Sequence, residues 1–82
     1  MNYLKLAIKK MLEDGEFEKI IKNAPNSQER KRAKNYYEFV KVVFSNCENV
    51  SSIILTMECK SYFVWQDIMS YISLIISQER SN

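Results

Sequence analysis

The chain has 82 residues, of which 46% are hydrophobic and 27% are charged, and its formal net charge is +2 at pH 7. This length allows one domain with a thin core, and an aromatic content of 12% argues against an intrinsically disordered chain. A single glycine and a single proline disfavour a β-meander or barrel, and so small a charge does not by itself indicate a nucleic-acid-binding protein.

Apolar residues at helical spacing predict two helices before Pro25. The first is expected near residues 2–13, where Asp14-Gly15 provides a stop signal. The second is short, because the ring and the missing amide hydrogen of Pro25 would disrupt a helix interior. The apolar positions are Leu4, Ile8, Met11 and Leu12 in the first helix, and Phe17, Ile20, Ile21 and Ala24 in the second.

The third helix is predicted to be the most clearly amphipathic element. Asn26 or Ser27 can cap its amino terminus, and Glu29 stands where the return partner of a capping box is found. The helix then continues for about five turns, with one apolar face at 3.6-residue spacing. That face contains Ala33, Tyr36, Tyr37, Val40, Val43, Phe44 and Cys47.

Residues 45–52 are polar and predict a loop, with Asn49, Ser51 or Ser52 as the cap of the next element. Residues 53–60 are ambiguous. Their apolar and polar side chains alternate as in a strand, but no convincing partner strand exists elsewhere in the chain. We therefore expect a helix there.

The closing helix, from about residue 61 to 78, is apolar on nearly every side. Such a helix is normally the buried centre of a bundle, and a contact surface for another chain or a membrane is the alternative. Asp67 is expected at the solvent edge, where it could pair with a cation on a partner. The wide apolar stripe contains Tyr62, Trp65, Ile68, Met69, Ile72, Ile75 and Ile76, and the thin polar line contains Gln66, Ser70, Ser73 and Ser77.

These elements predict an all-α fold, a small single-domain bundle of four to five helices over residues 1–82 with a strongly apolar C-terminal helix. The last helix falls short of the roughly 20 apolar residues needed to span a bilayer. The first 14 residues lack the continuous apolar core of a secretory signal, which argues against export.

No catalytic residue, metal site or cofactor is predicted, and the chain is expected not to be an enzyme. Cys47 and Cys59 are twelve residues apart with no histidine in the chain, so reduced thiols are expected, although a disulfide stays open. The acidic residues of the first two helices lie among lysines on expected solvent-exposed faces, where burial would not raise a carboxyl pKa. They are Glu13, Asp14, Glu16 and Glu18.

A basic run, QERKRAK at residues 28–34, begins the third helix, where cations oppose the helix dipole. It is either a solvated surface or a contact for phosphates, anionic lipid or an acidic partner. Arg30, Lys34 and Lys41 recur along one face with Tyr37 between them, which suits contacts to a nucleic-acid backbone and base stacking, although core packing is the better use of that tyrosine. The run contains Arg30, Lys31, Arg32 and Lys34.

From MNYLKLAIKKMLEDGEFEKII to SYISLIISQER, the chain resembles the lysis-inhibition accessory proteins of T-even type bacteriophages, the cytoplasmic antiholins. The resemblance covers the whole chain and consists of its size and its lysine-, asparagine- and isoleucine-rich character. It implies a protein of the host bacterial cytoplasm that binds the cytoplasmic amino-terminal part of the phage holin and postpones lysis. Peripheral contact with the inner-membrane surface stays open.

Aromatic and apolar anchors typically dominate such contacts, and nearby cations steer the approach. The expected anchors lie on the last helix or in the Tyr36/Tyr37 region, and the steering residues are Arg30, Lys31, Arg32 and Lys34. Two alternatives stay open: a small phage regulator that binds nucleic acid through residues 28–41, and a homodimer that covers the last helix. The proposed anchors are Trp65, Ile68, Ile72, Tyr36 and Tyr37.

Overall fold

The computed structural model describes residues 2–46 and 49–81, and this part of the chain forms five α-helices and no strand. The all-α class predicted from the sequence is therefore confirmed. None of these helices is both long and apolar enough to cross a membrane. The helices are α1 (Tyr3–Asp14), α2 (Glu16–Lys22), α3 (Ser27–Asn46), α4 (Ser52–Glu58) and α5 (Tyr62–Ser81).

A single residue, Gly15, joins α1 to α2. Its φ of 71° is left-handed, and its N–H donates to the Met11 carbonyl, which closes the last turn of α1. Glycine adopts this conformation without the steric cost that a Cβ brings. The predicted stop at Asp14-Gly15 is thus confirmed, and its effect is a sharp change of direction rather than a loop.

The helices pack as two pairs. α1 and α5 lie antiparallel. Hydrogen bonds from tyrosine hydroxyls join them at both ends of α1: Tyr3 donates to Glu79 (2.7 Å) and Tyr71 donates to Asp14 (3.1 Å). α2 folds back on α3, where the Phe17 ring stacks on Tyr37 with ring centroids 5.3 Å apart. The core lies between the two pairs.

The core has the composition that helical periodicity predicted for α1, α2 and α3. Cys47, the last predicted member of the α3 face, lies outside the described residues. Half-buried apolar side chains, Leu4, Leu12 and Val43 among them, pack around the buried set. The buried apolar residues are Ala7, Ile8, Met11, Phe17, Ala33, Tyr36, Val40, Val50, Leu55, Val64 and Ile68.

The amino termini of α3 and α5 are linked through Ser61, which is buried. Its hydroxyl donates to Glu29 Oε2 (3.1 Å) and accepts from the Val64 N–H (3.3 Å), so it caps α5. Asn26 caps α3 as predicted, since its side-chain oxygen accepts from the Glu29 N–H at 2.8 Å. The predicted return bond of Glu29 in a capping box is wrong, because its carboxylate contacts Ser61 and Arg32 instead.

Residues 52–58 are helical, so the helix interpretation is confirmed and the alternating pattern does not mark a strand. Ser51 is the cap, accepting from the Ile53 N–H at 3.2 Å. Of this short helix, only Leu55 is buried. The Tyr36 hydroxyl donates to the Leu55 carbonyl oxygen (2.9 Å), which ties α4 to α3.

The expectation that the last helix is the buried centre of the bundle is wrong. Only Val64 and Ile68 of α5 are buried. Trp65, Tyr71, Ile72 and Ile75 are half-buried against the core, whereas Tyr62, Phe63, Met69 and Leu74 are exposed. The other helices cover one side of α5 and leave the opposite side to solvent.

Tyr36→Phe should lower the free energy of unfolding by about 1–2 kcal/mol, because it removes a buried hydrogen bond and leaves a carbonyl of α4 without this donor. For a domain of this size, that loss corresponds to a fall in melting temperature of roughly 4–16 °C in thermal unfolding. Tyr62→Phe, which removes a hydroxyl from an exposed ring, is the matched control and should melt within a few degrees of wild type. Equal melting temperatures for both variants would contradict the assigned role of Tyr36.

Candidate partner-binding surface

The most exposed apolar surface lies on α4. Ile53 and Met57 are 70% and 63% exposed, and Ile54 is also exposed. These three side chains form the α4 patch. Three large apolar side chains on a seven-residue helix are unusual for a surface that only water contacts, and such clusters commonly mark protein or membrane contacts. The sequence analysis did not single them out, because their exposure follows from Leu55 alone being turned toward the core.

A second apolar surface lies on α5. Met69 is 45% exposed, and Trp65 and Ile72 lie one turn to either side of it on the same helix face. Both are half-buried against the core and keep part of their surface accessible. We call Trp65, Met69 and Ile72 the α5 face. Two of the five anchors predicted from the sequence therefore lie where a partner can reach them.

Two other predicted anchors, Tyr36 and Ile68, are buried. A partner could not contact them without opening the fold, so their assignment as direct contacts is corrected. Burial raises the pKa of the Tyr36 hydroxyl, which keeps it protonated as a donor to Leu55. Their helical spacing identified them correctly as apolar-face residues but not as surface.

Tyr37, the fifth predicted anchor, is half-buried, and its ring contacts neighbours on both α2 and α3. It stacks on Phe17, and Lys41 Nζ lies 4.3 Å from its centroid. Its hydroxyl donates to Glu18, which raises the pKa of Tyr37 and lowers that of Glu18. The ring is engaged in core packing, as the sequence analysis preferred, and is poorly placed for stacking on a base.

The side chains of the basic run fall into two groups: the two arginines make intramolecular polar contacts, and the two lysines do not pair with a described carboxylate. Arg30 Nε donates to the Ile21 carbonyl (3.3 Å), and Arg32 forms an ion pair with Glu29 at 3.2 Å. Lys31 and Lys34 are exposed and have no carboxylate within 4 Å among the described residues. The arginines thus hold the α2–α3 turn and the start of α3, and the two lysines are the members able to steer a charged partner.

Carboxyl groups converge where α2 meets α5, an arrangement that the sequence analysis did not predict. Asp67 was expected at the solvent edge, but it is half-buried and within hydrogen-bonding reach of Glu16. Burial, and then the charge and hydrogen bond of Glu16, raise the pKa of Asp67. The Tyr71 hydroxyl lies 3.1 Å from Asp14 Oδ2 and 3.3 Å from Glu16 Oε2, so it can donate its one proton to either.

Cys59 is a free, half-buried thiol between α4 and α5. It donates to the Ser61 carbonyl at 3.6 Å, and burial raises its pKa, so it lacks the thiolate character of a nucleophile. Among residues 2–46 and 49–81, no three side chains converge as metal ligands do.

Comparisons with known proteins give no relative: no family model, no curated protein and no solved structure matches the chain.

Replacing Asp67 with asparagine should stabilise the protein at neutral pH. Because the folded-state pKa of Asp67 is raised, the folded protein binds this proton more tightly than the unfolded chain does. The resulting stabilisation is present below the ordinary aspartate pKa and is lost as the pH rises through the raised value. At pH 7 Asp67→Asn removes the repulsion from Glu16, and a gain of about 1 kcal/mol is expected.

The measurement is urea unfolding of wild type and variant from pH 3 to pH 7. The difference between them should grow as the pH rises. Glu13→Gln, which removes a charge of the same sign from an exposed position, is the control and should show a smaller difference at pH 7. A variant that is less stable than wild type at pH 7 would contradict the assigned repulsion.

Proposed function

We propose that this chain is a non-enzymatic lysis-inhibition protein of the antiholin type, which binds the cytoplasmic amino-terminal segment of a phage holin and delays host lysis. Two arguments support the proposal. The chain resembles cytoplasmic antiholins in length and character, and it carries exposed apolar surface suited to an amphipathic segment.

The α4 patch is the observation that carries the proposal. Ile53, Ile54 and Met57 offer contact area to a partner at a small cost to the core, because Leu55 alone holds α4 against the interior. Apolar side chains that become buried on binding supply most of the binding free energy at such sites. In this proposal the bound segment lies against α4 and makes a second contact with the α5 face.

The charges of the chain fit a partner near the inner leaflet. Lys31 and Lys34 are exposed, and basic side chains are attracted to anionic headgroups by about 1 kcal/mol each close to the surface. They assist the encounter, and the α4 patch supplies the contact. In this proposal the protein contacts the membrane only peripherally and acts by holding the holin segment.

The direct test is a calorimetric titration of the purified protein with the soluble cytoplasmic segment of the holin. Wild type should bind, and Ile53→Ser/Met57→Ser should weaken binding at least about tenfold, since two apolar anchors are removed. Val42→Ser on α3, where the side chain is 59% exposed, removes apolar surface elsewhere and should leave the affinity unchanged. A folded wild-type sample that produces no binding signal at several temperatures would overturn the proposal.

The α5 face is tested by Met69→Ser, which leaves Trp65 and its core contacts in place. Replacing Trp65 with alanine should abolish binding, but loss of fold would give the same result. Met69→Ser should therefore reduce affinity by a few-fold with unchanged helicity by circular dichroism. Unchanged affinity in this variant would restrict the binding surface to α4.

Salt dependence separates this function from nucleic-acid binding through residues 28–41. An apolar contact with the holin segment should change little between about 50 and 200 mM salt, whereas neutralising several phosphates makes affinity fall steeply over that range. The measurement is the affinity for the holin segment and for a mixed-sequence DNA duplex at several salt concentrations. Tight, salt-sensitive binding of the duplex, with none of the segment, would establish the regulator instead.

A further inference from the structure

A groove lies between α2 and the amino-terminal half of α5, apart from the α4 patch. Its volume is about 320 Å³, and it is open to solvent. It is too open to enclose a small molecule, and its volume is sufficient for one or two side chains of a bound segment. The lining residues are Glu16, Lys19, Ile20, Asn23, Ala24, Phe63, Gln66 and Asp67.

The groove has one apolar side. Phe63 is 43% exposed, and two half-buried side chains line the groove with it: Ile20 of α2 and Ala24, just beyond the carboxyl end of α2. Exposed aromatic rings of this kind commonly serve as anchors for a partner's side chain. The apolar side accounts for contact but not for specificity.

The other side is acidic, and its one lysine lies beyond ion-pair distance of the carboxylates. Glu16 and Asp67 face each other across the α2–α5 contact, and Asp14 joins them through the Tyr71 hydroxyl. Lys19 also lines the groove, yet no lysine or arginine nitrogen of the described residues lies within 4 Å of these carboxylates. Two acidic groups against one ammonium leave the groove lining with a net charge of about −1 at neutral pH.

Repulsion between two half-buried carboxylates is normally avoided or neutralised, because both lose hydration and neither gains a partner. Within the groove, protonation of Asp67 relieves this repulsion, and its pKa is raised accordingly. A lysine or arginine from outside would serve better, since its several N–H groups can donate hydrogen bonds to both carboxylates and to the side-chain oxygen of Gln66. The groove is therefore complementary to a lysine or arginine next to an apolar residue.

We propose that this groove receives a basic side chain of the bound segment between Glu16 and Asp67, while a neighbouring apolar side chain packs on Phe63. The inference rests on the proposed function, since the occupant is part of the same holin segment that covers the α4 patch. It requires the bound segment to carry a basic side chain. The apolar surfaces alone would not distinguish this segment from other apolar segments. Recognition of the partner then depends on both surfaces.

The arrangement also couples binding to protonation. A cation that enters the groove favours the ionised form of Asp67, whose pKa is raised in the free protein. Binding should consequently release protons in the pH range where Asp67 is partly protonated. Lys19 on α2 and Asp14 on α1 face the same region and modulate this range without replacing the bound cation.

The experiment is calorimetry of the holin segment with wild type and with Glu16→Gln/Asp67→Asn, in buffers that differ in ionisation enthalpy. The double variant should bind about tenfold more weakly, because a charge-assisted contact is lost. Proton release should vanish with it. The variant should nevertheless melt at a higher temperature than wild type, which separates loss of recognition from loss of fold.

A matched control and a matched ligand complete the design. Glu13→Gln on α1 removes an exposed charge outside the groove and should bind like wild type. A segment whose lysines and arginines are replaced by glutamine should bind wild type and the double variant with equal affinity. That equality would place the basic side chain against the two carboxylates.

The outcomes distinguish the two proposals. If wild type and the double variant bind the unaltered segment equally and release no protons, the groove inference fails and the α4 patch contact stands. If neither binds, the proposed function fails and the inference fails with it. If only the double variant loses affinity while its stability rises, both are supported.

Discussion

The constraint on which the structure depends is that a chain of 82 residues can cover only one side of its most apolar helix. α1, α2 and α3 bury Val64 and Ile68, and none of the described helices covers the opposite side of α5. α4 is covered in the same limited way, and Leu55 is its one buried side chain. The apolar surfaces of α4 and α5 are therefore exposed because the other described helices cover only one side of each. The proposed contacts use these exposed sides.

In the proposed complex, stability and recognition compete at the junction of α2 and α5. Glu16 and Asp67 oppose each other at a helix contact, where a neutral pair would hold the fold more firmly. Sites kept at some cost to the free energy of folding are often those that meet a ligand or partner. The Tyr71 hydroxyl relieves part of the repulsion by donating to the neighbouring carboxylates, and it leaves Asp67 without that donor.

Local signals predicted most of the secondary structure. The stop at Gly15, the cap at Asn26 and the periodicity of α1 to α3 act through neighbours in sequence, so the sequence alone was informative there. The sequence was less informative at residues 53–60, where strand and helix were both considered. α4 makes a hydrogen bond with the distant Tyr36, and such a tertiary contact leaves no local signal in the sequence. The candidate site was predicted in part: Trp65 and Ile72 are accessible, whereas burial of Tyr36 and Ile68 and the approach of Glu16 to Asp67 depend on packing between distant segments.

α4 has few contacts with the rest of the bundle, and its local opening is therefore expected to cost less free energy than global unfolding. It is joined to its neighbours through non-helical backbone at both ends, and its fixed points are Leu55, the bond from Tyr36 and a contact between Asn2 and Ser52. Such a segment can open without unfolding the α1–α5 and α2–α3 pairs, and local openings of this kind have free energies well below that of global unfolding. A ligand that covers Ile53 and Met57 would suppress the opening. In the proposed complex, the affinity would therefore include the conformational entropy that α4 loses when the ligand fixes it, and a more rigid α4 would bind the same ligand more tightly with no new contact.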